Sequence, residues 1–300
     1  MKHNSWILGP ALALVVIGAT FKLSHAQNAA PVPTPVPAPK IENPRPPAAT
    51  QLAPQGTSTP AMQAPAAGQP PASGQKRLSY NACNVEGPYI AITFDDGPSA
   101  TLTPRLLDML KARGIKATFF VLGQCVVANP DVLKRAAAEG HEIGNHSWDH
   151  KALTKGGPAA IAMEVNQTNA AIEQACGKRP TLIRPPYGAT NTSVTKRLNE
   201  DYGLKVILWD VDPLDWKVRN SAHVTSEILK HTQDGSIILA HDIHPSTIEA
   251  MPATLDALLK KGFKFVTVSE LIAMDRPQLP PKKEAPAAPT PAKSPSQKKH

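Results

Sequence analysis

The amino-acid sequence predicts an α/β fold, with seven parallel strands in a single barrel or a doubly wound sheet. Three observations point there. From Tyr89 onward, short apolar runs alternate with amphipathic segments, the rhythm of successive βα units. Glycine follows most of the amphipathic segments, where a helix terminator belongs. The densest polar clusters come directly after apolar runs, as loops do when they gather at the carboxyl rim of a parallel barrel.

Taken in order, strands are expected at residues 89–94, 117–122, 141–144, 181–183, 205–209, 236–239 and 263–266. Helices are expected at 104–112, 131–139, 159–176, 193–200, 222–232 and 248–260. Gly114, Gly140 and Gly177 stop the first three, and the helices at 193–200 and 222–232 end shortly before Gly203 and Gly235. The polar clusters are "DDGP" after the first strand, "NHSWDH" after the third, "RPPYG" after the fourth, "DVDPLDW" after the fifth and "AHDIH" after the sixth. Residues kept for stability alone would scatter over both ends of a barrel; these share one end.

The folded unit is expected over residues 78–275, because the prolines cluster on either side of it. Many of the 32 prolines lie within 26–73 or after Asp275, in segments without the periodic apolar residues that offset chain entropy. Residues 27–77 therefore read as a disordered Pro/Ala-rich linker and residues 276–300 as a disordered, basic, Pro-rich tail. Residues 1–26 read as a signal peptide or signal anchor: Lys2 leads, the apolar run "WILGPALALVVIGA" follows, and Ser24-His25-Ala26 sets small residues two apart. Either reading exports the domain, to the periplasm, the exterior or the cell envelope. A retained anchor would also make a membrane tether of the N-terminus, with the Pro-rich arm as a semi-rigid spacer.

The formal net charge of +8 is unevenly placed. Residues 276–300 carry +5 of it and Lys2 with Lys22 carry +2, which leaves +1 for residues 23–275. A nearly neutral domain argues against a nucleic-acid surface. The basic tail suits loose attraction to anionic wall polymers or lipid head groups, or solubility alone.

His146 and His150 are four residues apart, so on a helical turn both imidazoles can face one divalent ion. If Asp95 or Asp96 reaches them, the set becomes two histidines and a carboxylate with an open position, a catalytic zinc pattern. The other aspartate is then a candidate base, and Arg184 could keep it ionised and oriented. His241 follows the apolar run "SIILA" and is a candidate proton donor, with Asp215 placed to hold and charge its imidazole.

"TFDDGP", "HSWDH", "RPPYG", "DPLDW" and "LAH", in this order and spacing, resemble the five motifs of the polysaccharide deacetylases, the family 4 carbohydrate esterases. The resemblance spans about residues 89–271. It implies a distorted (β/α)7 barrel with parallel strands and a metal-dependent removal of acetyl groups from N-acetylated sugars. By the same resemblance Asp95 is the base, Asp96, His146 and His150 bind the metal, and Arg184 holds Asp95. Tyr187 offers its backbone N–H to an oxyanion, in a loop stiffened by Pro186 and its neighbouring proline. His241 is the acid tuned by Asp215, and Trp216 and Leu239 wall the acetyl pocket.

The expected cofactor is one divalent ion, zinc first, with cobalt, nickel or manganese as substitutes. The expected substrate partner is peptidoglycan or another N-acetylated glycan, with no nucleic acid; the "DWKVRN" segment and the run from His241 to Leu271 look most like bacterial peptidoglycan N-acetylglucosamine deacetylases. The alternatives are a chitin-oligosaccharide deacetylase and an O-acetyl xylan esterase. A non-catalytic glycan-binding module would have lost Asp95 or a metal ligand, and neither is lost. Export makes a disulfide plausible. Cys83 and Cys176 both precede strands at the amino end of a barrel, whereas Cys125 follows one, so Cys83–Cys176 is the expected pair.

Overall fold

A computed structural model describes residues 77–276. The expected signal or anchor, the expected linker up to residue 76 and the tail beyond Arg276 lie outside the described residues. Among the described residues the chain order is β1 (Ser79–Tyr80), β2 (Tyr89–Asp95), α1 (Leu102–Ala112), β3 (Thr118–Val121), α2 (Gly123–Ala128), α3 (Pro130–Ala138), β4 (Glu142–Asn145), α4 (Pro158–Cys176), β5 (Leu182–Ile183), α5 (Thr192–Glu200), β6 (Lys205–Ile207), α6 (Ser221–His231), β7 (Ile237–Ile238), α7 (Pro245–Lys260), β8 (Lys264–Phe265) and α8 (Val268–Ala273). Among them, no helix is long and apolar enough to cross a membrane.

The strands pair in parallel in the order β1-β6-β5-β4-β3-β2-β7, with β8 also on β2. Past the end of β6 the chain returns to the sheet, where Val211 pairs with Ile238 and brings the barrel round to β7. Two corrections to the sequence reading follow. The strand expected at 205–209 ends at Ile207, because the carbonyls of Ile207 and Leu208 accept hydrogen bonds from the Arg184 side chain. An eighth strand, β1, exists; at two residues it is too short to show any periodicity.

β2 shows how the layers form. Ile90, Ile92 and Phe94 point outward into a core shared with Leu106, Leu107, Leu255 and Leu258 of the surrounding helices. Ala91 points inward to Phe120, Leu182, Ile207 and Ile237, and alternation puts Thr93 and Asp95 on that same inner face at successively higher levels. The barrel is thus apolar at its floor and polar at its rim. α8 closes the floor: Val268 and Leu271 pack into the inner cluster, and the Val268 amide donates to Thr118 Oγ1 at the amino end of β3.

The two ends of the described domain meet at this floor. Arg77 Nη1 lies 3.2 Å from Asp275 Oδ2, the Asn84 amide donates to Asp275 Oδ1 at 2.7 Å, and the Arg276 amide donates to the Asn84 carbonyl at 2.9 Å. The expected Cys83–Cys176 bridge is not formed. All three thiols are free: Cys83 is buried beside Gly235, and Cys176 Sγ turns back to the Ile172 carbonyl of its own helix.

Candidate active site

The structure brings seven of the sequence-selected residues together at the carboxyl rim. Asp95 ends β2, and its Oδ1 accepts from Arg184 Nη1 at 2.7 Å while its Oδ2 faces His146 Nε2 at 3.6 Å. Arg184 is fully buried, yet every direction is satisfied: it donates to Thr93 Oγ1 at 2.7 Å and to the Ile207 and Leu208 carbonyls, and it stacks on Phe120 and Trp209. A buried charge needs such pairing, since an unpaired one would be lost to desolvation. The result is a carboxylate whose one oxygen is fixed and whose other oxygen is left facing the site.

Asp96 turns the opposite way, through φ 72°. Its Oδ1 lies 3.4 Å from His146 Nε2 and 3.5 Å from His150 Nε2, is buried, and has no hydrogen-bond partner. Burial acts to raise the Asp96 pKa, but the nearness of His146, with the charges of His241 and His150, holds it well below the usual carboxylate range. His146 Nδ1 donates to the Arg184 carbonyl at 2.6 Å; a carbonyl can only accept, so the lone pair of that imidazole is left on Nε2, facing Asp96. The donor atoms of Asp96, His146 and His150 all lie within 4.8 Å of one another. An orphaned buried carboxylate oxygen amid two imidazole nitrogens is a donor set that fits one divalent ion.

Across the barrel, Asp215 is fully buried and binds His241 twice. Its Oδ1 is 2.8 Å from His241 Nδ1, and its Oδ2 accepts from the His241 amide at 2.8 Å and from Thr247 Oγ1 at 2.7 Å. Burial acts to lower the His241 pKa, but the hydrogen bond and charge of Asp215, reinforced by Asp95 and Asp96, raise it to about 9. His241 is therefore held as an imidazolium at neutral pH, with Nδ1 engaged and Nε2 available. Asp95 and His241 are bridged backbone neighbours, so base and acid candidates flank the same opening.

Tyr187 sits in a 3-10 turn, Pro186–Gly188, at φ 63°, with its ring against His150 at 4.4 Å between centroids. Tyr187 and Trp216 are exposed, while Pro186 and Leu239 are buried; no hydrogen bond joins the side chains of Pro186, Leu239 or Tyr187 to the charged groups.

Sequence reasoning missed several contributors. Thr247 caps Asp215, but the sequence reading began its helix at 248 whereas α7 starts at Pro245. Thr93 stands two residues before Asp95, and the alternation of β2 alone puts both on one face. A further signal is conformational. Among the described residues the non-glycine positions with positive φ are Asp96, Ser147, His150, Tyr187 and Leu214, and all five lie in rim loops. Each costs on the order of 1–3 kcal/mol, and such strain is retained where surrounding groups over-determine it, as at functional sites.

This fold and rim define a chain that belongs to the polysaccharide deacetylase family; the family model "Polysaccharide deacetylase" matches residues 83–207. The chain is 47% identical over 182 residues to the peptidoglycan-N-acetylglucosamine deacetylase PgdA of Listeria monocytogenes, a match covering 61% of this chain and 38% of that protein's length. It is 38% identical over 188 residues to a peptidoglycan-N-acetylglucosamine deacetylase of Bacillus cereus, covering 61% of this chain and 87% of the relative. Among solved structures it resembles the peptidoglycan deacetylase PdaC of Bacillus subtilis, with a TM-score of 0.59 and 42% identity over 62% of this chain and 90% of that one.

Proposed function

We propose that the protein hydrolyses the acetamido group of N-acetylated amino sugars in a cell-wall glycan, foremost peptidoglycan, releasing acetate and leaving a free amine. The observation that carries this reading is the facing pair at the rim: the Arg184-held carboxylate of Asp95 and the Asp215-held imidazolium of His241, on either side of a two-histidine, one-carboxylate donor set. The names of the relatives support the substrate class, and a wall target supports an exported, envelope-associated protein.

Asp96, His146 and His150 would hold the ion, zinc ahead of cobalt, nickel or manganese; when bound, it supplies Lewis acidity toward the acetyl carbonyl and the attacking water. Asp95 takes the proton from that water as oxygen adds to the acetyl carbon, and Arg184 holds Asp95 aimed beforehand. The Tyr187 amide donates to the oxygen on which negative charge develops. His241 gives its proton to the sugar nitrogen as the C–N bond breaks, because an amine leaves only when protonated. Trp216, Leu239 and Pro186 enclose the methyl end of the acetyl group.

Two tests bear on this. Acetate and free amine should appear when the full chain is incubated with peptidoglycan or chitin oligomers, and more slowly, if at all, with acetylated xylan; faster xylan turnover would overturn the proposal. Exhaustive chelation should abolish turnover and added zinc or cobalt should restore it. Full activity in the chelated protein would remove the metal from the account.

A further inference from the structure

The loop that carries both histidine ligands has no regular structure, yet the amides of Ser147 to His150 are all engaged. The Ser147 amide donates to Asn145 Oδ1 at 2.7 Å, the Trp148 and Asp149 amides donate to Glu164 Oε2 at 2.8 and 3.4 Å, and the His150 amide donates to Ser147 Oγ at 3.0 Å. None of the four goes to a backbone carbonyl. Two of the acceptors belong to the loop and its strand; Glu164 alone comes from elsewhere, on the second turn of α4, and its side chain is 3% exposed. On the opposite side the loop's Ser147 and Trp148 carbonyls accept from the Gly123 and Gln124 amides at the start of α2. A side chain at Gly123 would collide with the Trp148 ring, so the loop is pressed between α2 and α4.

Ser147 and His150 are both at positive φ, 72° and 66°. A loop with two such residues in four keeps them only where surrounding groups resist relaxation, and one of the two is His150 itself. The exposed ammonium of Lys151 offsets the charge, 2.5 Å from Asp149 Oδ2 and 4.0 Å from Glu164 Oε1.

We infer that Glu164 is a positioning residue for the metal site, holding the Trp148–Asp149 peptide so that His146 and His150 present their Nε2 atoms together. The inference rests on the reading of Asp96, His146 and His150 as ligands. It acts through backbone amides, so an uncharged acceptor of the same length should serve nearly as well.

The test is zinc titration of the chelated full chain by calorimetry, with Glu164→Ala, Glu164→Gln and Glu164→Asp. Glu164→Ala should weaken zinc binding by ~10–100-fold, the usual effect of losing an outer partner of a metal ligand, and Glu164→Gln should bind close to the parent. Turnover of the Ala variant should return at saturating zinc, since the catalytic groups are untouched. Should the Ala variant fail to fold, Glu164→Asp carries the test: it keeps the charge, withdraws the acceptor by one methylene, and should also weaken zinc. Unchanged zinc affinity in the folded Ala or Asp variant, a Gln variant as weak as the Ala variant, or a loss of turnover that excess zinc does not repair would each overturn the inference. A parent chain that binds no zinc would instead overturn the ligand reading on which it rests.

Discussion

Asp95→Asn should lower N-deacetylation by ~10² or more while leaving zinc affinity near that of the parent. The asparagine keeps an oxygen for Arg184 Nη1, at present 2.7 Å from Asp95 Oδ1, but has no oxygen able to take a proton from water. The substitution also leaves the buried Arg184 without its counter-charge, which costs on the order of 3–5 kcal/mol. That is a large part of the ~5–15 kcal/mol available to a domain, so a thermal melt must show the variant folded before its rate is interpreted. Asp96→Asn should behave in the opposite way, losing zinc by tenfold or more as a ligand does. Equal zinc affinity in the two variants would mean that the roles of the neighbouring aspartates have been divided wrongly.

His241→Ala should damage amide hydrolysis by ~10² or more and the hydrolysis of an aryl acetate far less, because a phenolate leaves without a proton and a sugar amine does not. The comparison of the two substrates in one variant separates proton donation from a general loss of structure, which would lower both. A pH profile adds an independent reading. The rate requires protonated His241, so activity falls as pH rises through its pKa, which the surroundings raise to about 9. An ion on Asp96 removes that residue's share of the shift and leaves Asp215 as the main source. Asp215→Asn should therefore move the alkaline limb to lower pH. A limb that stays in place would show that His241 is not the group being titrated.

The repeating βα order and the position of the rim were legible in the sequence because each rests on a periodic signal: apolar runs, amphipathic segments and glycine stops. The charged site residues were legible for another reason. Asp95 ends a strand, His146 and Arg184 directly follow theirs, and Asp215 and His241 lie in the loops after β6 and β7; a parallel sheet sends all such positions to the same end. What stayed hidden was set by tertiary contacts. β1 has two residues and owes its existence to β6, while α2 and α8 have six each and carry too few turns for a helical period to register. Thr247 and Glu164 matter through side chains that cross between elements, and nothing local marks a threonine beside a distant aspartate or a glutamate on an exposed-looking helix turn. The Cys83–Cys176 expectation failed for the same reason. Sharing one end of a barrel does not bring two thiols to bonding distance.

The Arg77–Asp275 pair and the Asn84 bonds beside it give the domain one point of departure for both of its ends. That point is on the floor, under α8, and the acid and base open from the other face. Both ends therefore leave the domain at the back, beside a clasp and a helix plug that share no residue with the chemistry. The domain can be hung from a support, or dragged along one, with its mouth outward and its working groups undisturbed. On the wall glycan proposed as substrate, orientation would then be a matter of where the chain is fastened rather than of any contact the catalytic face must spare.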